Sequence, residues 1–247
     1  MKPVNEQMTI QVTELNKSTL LLTPSAEALG LCDDHFDNDF LKRKKLITQI
    51  AKGRGIVYFF TLGNTELVLR HYKRGGLVAK VSNDSFIFTR ISHTRCYEEL
   101  SVLQHLRDKK VNVPKPIAGK ITRKGLFYSA DIITEVISNA VELNEILLSE
   151  GVVAATWQAI GLQIKKMHNA QVYHGDINVK NILLSRQTTP PSIHLLDFDK
   201  CAIKRGDDWK NANLLRFKRS LLKQVSKSPH YHYRQRDWDA LLAGYNK

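Results

Sequence analysis

With 247 residues, 43% of them hydrophobic, the chain is long enough to bury a core as one large domain or as two modest lobes, which excludes general disorder. Lys and Arg number 37 against 24 Asp and Glu, and the formal net charge of +13 draws in anionic partners: nucleic acid, an anionic membrane surface or a phosphorylated small molecule. Cys32, Cys96 and Cys201 form no CxxC pair, which argues against zinc and disulfide frameworks, and no apolar run reaches the roughly 18 residues of a membrane span. A cytoplasmic protein free to sit against a membrane is therefore expected.

Residues 1–50 read as an N-terminal extension packed on the lobe formed by residues 51–135, with a short strand near Ile10 and one helix from about Phe36 to Gln49. IVYFFTL, a Gly63-Asn64 turn and ELVLRHY form the pattern of an antiparallel hairpin, followed by a second turn at Gly75-Gly76. From Thr94 to Arg107 apolar residues recur at helical spacing, and Pro114 and Pro116 then force an extended exit. LFYSADIIT at 126–134 reads as a buried strand. The strongest helix signal is Val152 to His168, with Val153, Trp157, Ile160, Ile164 and Met167 on one stripe and Gln163 facing elsewhere. Two short apolar runs follow, at Asn181 to Leu184 and Ile193 to Phe198. Strands precede helices, which predicts an α+β fold of two lobes: a β-rich N-lobe over 51–135, a hinge near Glu135 to Asn139, and a mainly helical C-lobe over 136–247.

The chemistry concentrates in YHGDINVKNILLS at 173–185 and IHLLDFDK at 193–200. Asp176, Asn181 and Asp197 offer two carboxylates and an amide oxygen, the sparse oxygen set with which Mg²⁺ is held alongside substrate phosphates. Singly, each has a plainer reading: a turn residue, a strand-start cap, a carboxylate satisfied by a neighbouring amide. The joint spacing is far more specific than any one member.

HGDINVKN resembles the catalytic loop H-R-D-x-x-x-x-N of the protein kinase-like superfamily, with Gly175 in place of the usual Arg, and LLDFD resembles its D-F-G element. The resemblance implies that Asp176 is the catalytic carboxylate that orients the attacking hydroxyl, and that Asn181 and Asp197 hold Mg²⁺ on the phosphates of ATP. It implies that His174 packs beneath the loop and bonds its backbone instead of acting as a base, and that Gly175 leaves no arginine clamp for a phosphorylated activation segment. On the nucleotide side Arg70 stands where such kinases carry lysine, with Lys73 or Lys80 as fallback, and Glu99 is its ion-pair partner while Glu98 is solvated. Gly53 and Gly55 form a shortened Gly-rich phosphate loop or merely mark a loop, with Arg54 adding charge.

From about residue 50 onward the chain resembles the KdkA/WaaP family of lipopolysaccharide kinases, in RHYKRGGLVAK (70–80), RCYEEL (95–100), VPKPIAG (113–119), GLFYSADIIT (125–134), YHGDINVKNILL (173–184) and RDWDALLAGY (236–245). This implies ATP- and Mg²⁺-dependent phosphorylation of the 4-hydroxyl of 3-deoxy-D-manno-octulosonic acid (Kdo) on a lipid A precursor, at the cytoplasmic face of the Gram-negative inner membrane. The partners expected are that Kdo-lipid A precursor and the anionic inner-membrane surface, with no nucleic acid and no obligate protein partner. RFKRSLLKQVSK at 216–227 reads either as an apolar stripe rimmed by positive charge or as a helix buried against the C-lobe. The rival functions are a kinase of another small molecule or of protein, and a non-catalytic nucleotide-binding scaffold.

Overall fold

Alternating burial along the strands at residues 56–71 and helical burial after residue 154 mark the chain's architecture, seen in a computed structural model that describes residues 10–24, 30–52, 55–73, 84–186 and 191–247. The chain forms two units, one of residues 1–104 with 115–136 and one of residues 105–114 with 137–247. Unit 1 is built on strands β1 (Gln11–Asn16), β2 (Thr19–Thr23), β3 (Ile47–Lys52), β4 (Ile56–Leu62), β5 (Thr65–His71), β6 (Phe86–Ile87), β7 (Pro116–Lys124) and β8 (Phe127–Glu135). They form one antiparallel sheet in the order β1-β2-β7-β8-β5-β4-β3, with β6 also paired to β8.

The β4–β5 hairpin turns at Gly63-Asn64, with Leu62 opposite Thr65. That register sets Phe60 opposite Leu67 and Tyr58 opposite Leu69, so the buried residues of both strands share a face. They join Phe36, Leu41, Ile117 and Ile133 in the unit's core. Burying each such side chain contributes on the order of 1.5–3 kcal/mol.

The helix expected over Phe36 to Gln49 is shorter. A 3-10 turn at Asp33–Phe36 leads to α1 (Asn38–Arg43), capped by the Asp37 side chain, which accepts from the amide of Asp39 at 2.8 Å. The helix closes where Lys45 turns to a φ of 55°: its N–H reaches the carbonyl of Lys42, and that of Leu46 reaches Leu41, a Schellman closure. Gln49 therefore lies in β3, which runs across residue 50. The expected Gly75-Gly76 turn lies outside the described residues. α2 (Arg95–Asp108) matches the predicted helix, and β7 begins at Pro116, where a strand's first residue tolerates proline.

Unit 2 holds β9 (Ala140–Glu142), α3 (Leu143–Ser149), α4 (Ala154–Asn169), β10 (Val172–Tyr173), β11 (Ile182–Ser185), β12 (Ser192–Leu195), β13 (Ala202–Ile203), α5 (Asp208–Val225) and α6 (Gln235–Tyr245). The strands make a β12-β11-β9 sheet and a β10-β13 pair. Trp157, Ile160, Ile164 and Met167 form the buried stripe of α4 as predicted. Val153 does not join it, because it caps the helix from outside and is exposed, whereas Gln163 is buried. α4 crosses α6 at backbone contact: a Cβ on Gly161 would collide with the carbonyl of Leu241, and one on Gly244 with that of Gln158. Among the described residues no helix is long and apolar enough to cross a membrane.

Candidate active site

In unit 1, β5 carries Arg70 and α2 carries Glu99, one turn into the helix on its buried face. Arg70 Nη2 lies 2.6 Å from both carboxylate oxygens of Glu99, which is only 4% exposed. The Tyr72 hydroxyl donates to Glu99 Oε2 at 2.6 Å, and the Tyr72 ring lies under the Arg70 guanidinium at 4.8 Å. Burial, then the Glu99 charge, hold the Tyr72 hydroxyl well above the ordinary tyrosine value, so it remains a donor. Glu98 is exposed. Of the expected phosphate loop, Gly53 and Arg54 lie outside the described residues, as does Lys80. Gly55 is described, and the aliphatic chain of exposed Lys73 runs past it at 3.6 Å from where a Cβ would stand.

In unit 2 hydrogen bonds tie together the backbone segments that carry Asp176, Asn181 and Asp197. Asn181 donates its Nδ2 to the carbonyl of Asp176 at 2.9 Å, which leaves its Oδ1 outside that bond. The Asn181 carbonyl in turn accepts from the N–H of Leu196 at 2.9 Å, so Asp197 follows directly from that link. Asp197 is exposed and takes a φ of 59°, a left-handed conformation that Asp adopts more readily than bulkier residues. The buried Phe198 ring packs on His174, with centroids 4.9 Å apart.

His174 holds the loop from below. Its Nε2 donates to the carbonyl of Leu196 at 2.9 Å, and its Nδ1 accepts from the amide of Asp176 at 3.2 Å. Burial keeps its pKa below the ordinary histidine value, so the ring is neutral, and with both nitrogens committed to backbone it has no proton to trade. Gly175 is required by a close approach: a Cβ there would stand 2.5 Å from the carbonyl of Lys200. The arginine of the protein kinase pattern is excluded sterically.

Residues on α5 that the sequence reading did not place complete the cluster. Asn213 donates to the His174 carbonyl at 2.8 Å, Arg216 Nη1 lies 3.4 Å from Asp176 Oδ1, and the Ser220 hydroxyl accepts from the amide of Val179 at 3.0 Å. Positions 213, 216 and 220 share one helix face. Their spacing was visible in the sequence, but nothing there named the loop as their target. The network continues inward: His168 Nε2 is 3.1 Å from Asn213 Oδ1, and its Nδ1 is 2.7 Å from the Tyr245 hydroxyl. Burial pushes the His168 pKa down to about 4, so it too is neutral. As for the basic run at 216–227, α5 buries Leu214, Phe217 and Leu221 and exposes Leu215, Leu222 and Val225, so both readings hold on different faces.

Among the described residues no three His, Cys, Asp or Glu side chains gather to hold a metal. Asn181 and Asp197, one amide oxygen and one carboxylate, are the residues that could hold a metal here. This suits a hard cation that completes its shell with phosphate and water, and not zinc.

The profile of the lipopolysaccharide kinase (Kdo/WaaP) family matches residues 38–245. A 3-deoxy-D-manno-octulosonic acid kinase of Vibrio vulnificus (strain YJ016) is 44% identical over 211 residues, covering 85% of this chain and 87% of its own length. The enzyme of the same name from Vibrio cholerae is 43% identical over 189 residues, covering 76% and 79%, and that from Haemophilus influenzae (strain PittEE) is 38% identical over 219 residues, covering 87% and 90%. Among solved structures, WaaP in complex with acyl carrier protein matches with a TM-score of 0.57 at 14% identity, over 86% of this chain and 84% of that one, which supports the expected two-part α+β, protein kinase-like fold. The same structure corrects one expectation, that no obligate protein partner is indicated: a chain of this fold has been solved in complex with a protein. A docking surface for a folded partner has no characteristic residue spacing, so sequence reading had no signal for it.

Proposed function

This chain belongs to the lipopolysaccharide kinase (Kdo/WaaP) family, and from that premise we propose that it transfers the γ-phosphoryl group of ATP to a hydroxyl of Kdo on a lipid A precursor. The family resemblance points to the 4-hydroxyl. The observation that carries the reading is the hydrogen-bonded cluster of Asp176, Asn181 and Leu196–Asp197, an alcohol-orienting carboxylate tied to a sparse oxygen donor set.

Asp176 accepts the proton of the attacking hydroxyl and aligns its oxygen on the γ-phosphorus; the new P–O bond forms as the bond to the β-phosphate oxygen breaks, and ADP leaves. Asn181 Oδ1 and Asp197 would hold Mg²⁺, whose chemistry when bound is to neutralise phosphate charge. Arg70, held by Glu99 and Tyr72, supplies fixed positive charge for the nucleotide phosphates, and Gly55 belongs to the phosphate loop of this reading. His174, Asn213 and Ser220 keep the loop's backbone in place. A chain that acts on a lipid-borne sugar works at a membrane surface, here peripherally at the cytoplasmic face of the inner membrane, and its net charge of +13 favours that anionic surface.

The test is an ATP-consumption assay with product mass analysis on four acceptors: Kdo-bearing lipid A precursor, its Kdo-free counterpart, an aminoglycoside and a generic protein. One added phosphoryl group on the Kdo-bearing lipid alone is the expected result. Turnover on the aminoglycoside or the protein instead overturns the reading.

A further inference from the structure

The guanidinium of Arg216 sits against the carboxylate that the reaction needs as a base. Its Nη1 is 3.4 Å from Asp176 Oδ1, and both side chains are 43% exposed. As a stabilising device the pair is weak, since half-exposed ion pairs are screened by water and contribute little. As a neighbour of a proton acceptor it is counterproductive, because a cation on Asp176 Oδ1 competes with the hydroxyl that must approach the same carboxylate. A costly arrangement with little structural return calls for a use.

Three features point to that use. Arg216 is held in register over the loop: Asn213 and Ser220, on the same face of α5, bond the backbone at His174 and Val179, on either side of Asp176. The contact with Asp176 is long and engages one nitrogen of a group that carries five donors in a planar fork. That fork matches a carboxylate with two parallel hydrogen bonds, a geometry lysine cannot reproduce. The acceptor of the proposed reaction is itself an acid sugar, whose carboxylate and ring hydroxyls belong to one small ring.

We propose that Arg216 is the receptor for the carboxylate of the acceptor sugar, exchanging its contact with Asp176 for a forked contact with substrate when the acceptor binds. The exchange makes acceptor recognition and removal of the competing cation from Asp176 Oδ1 one event. Without an acid sugar, Arg216 remains on Asp176 and the hydroxyl of a water molecule is a poor competitor for the base. With it, the guanidinium is drawn to the substrate carboxylate and no longer competes with the attacking hydroxyl at Asp176 Oδ1. Arg216 acts here as a specificity-determining residue for the acceptor, and the inference rests on the kinase reading given above.

The experiment is a cycle between enzyme and acceptor. Wild type, Arg216→Gln and Arg216→Lys are assayed for kcat and KM on Kdo-bearing lipid A precursor and on the same lipid with the Kdo carboxylate converted to its amide, at saturating ATP and Mg²⁺, with circular dichroism to check the fold of each variant. Wild type should lose at least about tenfold in kcat/KM when the acceptor carboxylate is amidated, in line with a forked charged contact. Arg216→Gln should show little discrimination between the two lipids, and Arg216→Lys should recover only part of it, with KM for ATP unchanged in both. Equal losses for Arg216→Gln on the acid and the amide mean that the guanidinium serves the phosphoryl group or the loop, and overturn the inference while leaving the kinase reading intact. No phosphorylation of the Kdo lipid by wild type overturns both.

Discussion

The amide of Asn213 on α5 donates to the backbone carbonyl of His174 at 2.8 Å, keying a helix to the loop that carries Asp176. Its oxygen meanwhile faces His168 Nε2, so the amide is oriented from both sides. Asn213→Asp keeps the shape but replaces the donor with an acceptor, setting a carboxylate against the His174 carbonyl. A loss of about 1–3 kcal/mol in urea unfolding is expected. Turnover should fall further than the unfolding loss alone explains, measured as kcat at a temperature where the variant remains folded.

Asp176→Asn removes the proposed proton acceptor while keeping the side chain's size. Because the carboxylate is 43% exposed and the loop is held through the backbone carbonyl of Asp176, the melting temperature should stay within a few degrees of wild type. Steady-state kcat should drop by about 10²–10⁴-fold, the usual contribution of general base catalysis. Near-normal turnover by the purified variant would remove Asp176 from the role assigned to it.

Glu99 compensates a cation and a buried hydroxyl at once. Glu99→Ala removes the carboxylate from Arg70 and from the buried Tyr72 hydroxyl at once, and a loss of about 3–5 kcal/mol is expected in chemical denaturation, typical of a buried pair broken from one side. Tyr72→Phe removes only one donor and should lose about 1 kcal/mol. In both variants KM for ATP should rise, more in Glu99→Ala, because Arg70 is no longer fixed.

Protonation of His168 sets an acid limit on stability. Above the ordinary histidine value of 6.5 the ring is neutral in both folded and unfolded chains, and nothing depends on pH. As pH falls below 6.5 the unfolded chain takes up a proton that the folded chain refuses until about pH 4, so stability declines across that window. The slope approaches about 1.4 kcal/mol per pH unit for one such group. His174, also lowered by burial, acts in the same sense. His71, raised by its hydrogen bond to Asp131, acts oppositely: its stabilisation is complete below 6.5 and is lost as pH rises through its folded value. Urea midpoints at pH 7 and pH 5 should therefore differ more in wild type than in His168→Gln, and an unchanged difference would show that His168 is not the group responsible.

What the sequence revealed depended on whether a signal was local. The β4–β5 hairpin was legible because two runs of aromatic and β-branched residues flank a dipeptide turn, and α4 because its four apolar anchors repeat on one face. The spacing of Asp176, Asn181 and Asp197 was legible as a pattern, and Arg70 with Glu99 as a pair, through likeness to a known loop and helix. β3 was hidden because a lysine, with no preference for a left-handed backbone, ends the helix before it. The stripe of Asn213, Arg216 and Ser220 was hidden for another reason: polar residues at helical spacing look like a solvated face until the backbone they bond is known. Arg216 was accordingly grouped with the charges meant for a membrane, whereas its guanidinium lies on Asp176.

At the α4–α6 crossing, Gly161 and Gly244 each lie where the opposing main chain leaves no room for a methyl group. Both positions restrain sequence drift: a side chain at either can enter only if the facing helix backbone shifts, so a lineage or library that diversifies this protein keeps glycine at both or moves α4 and α6 apart.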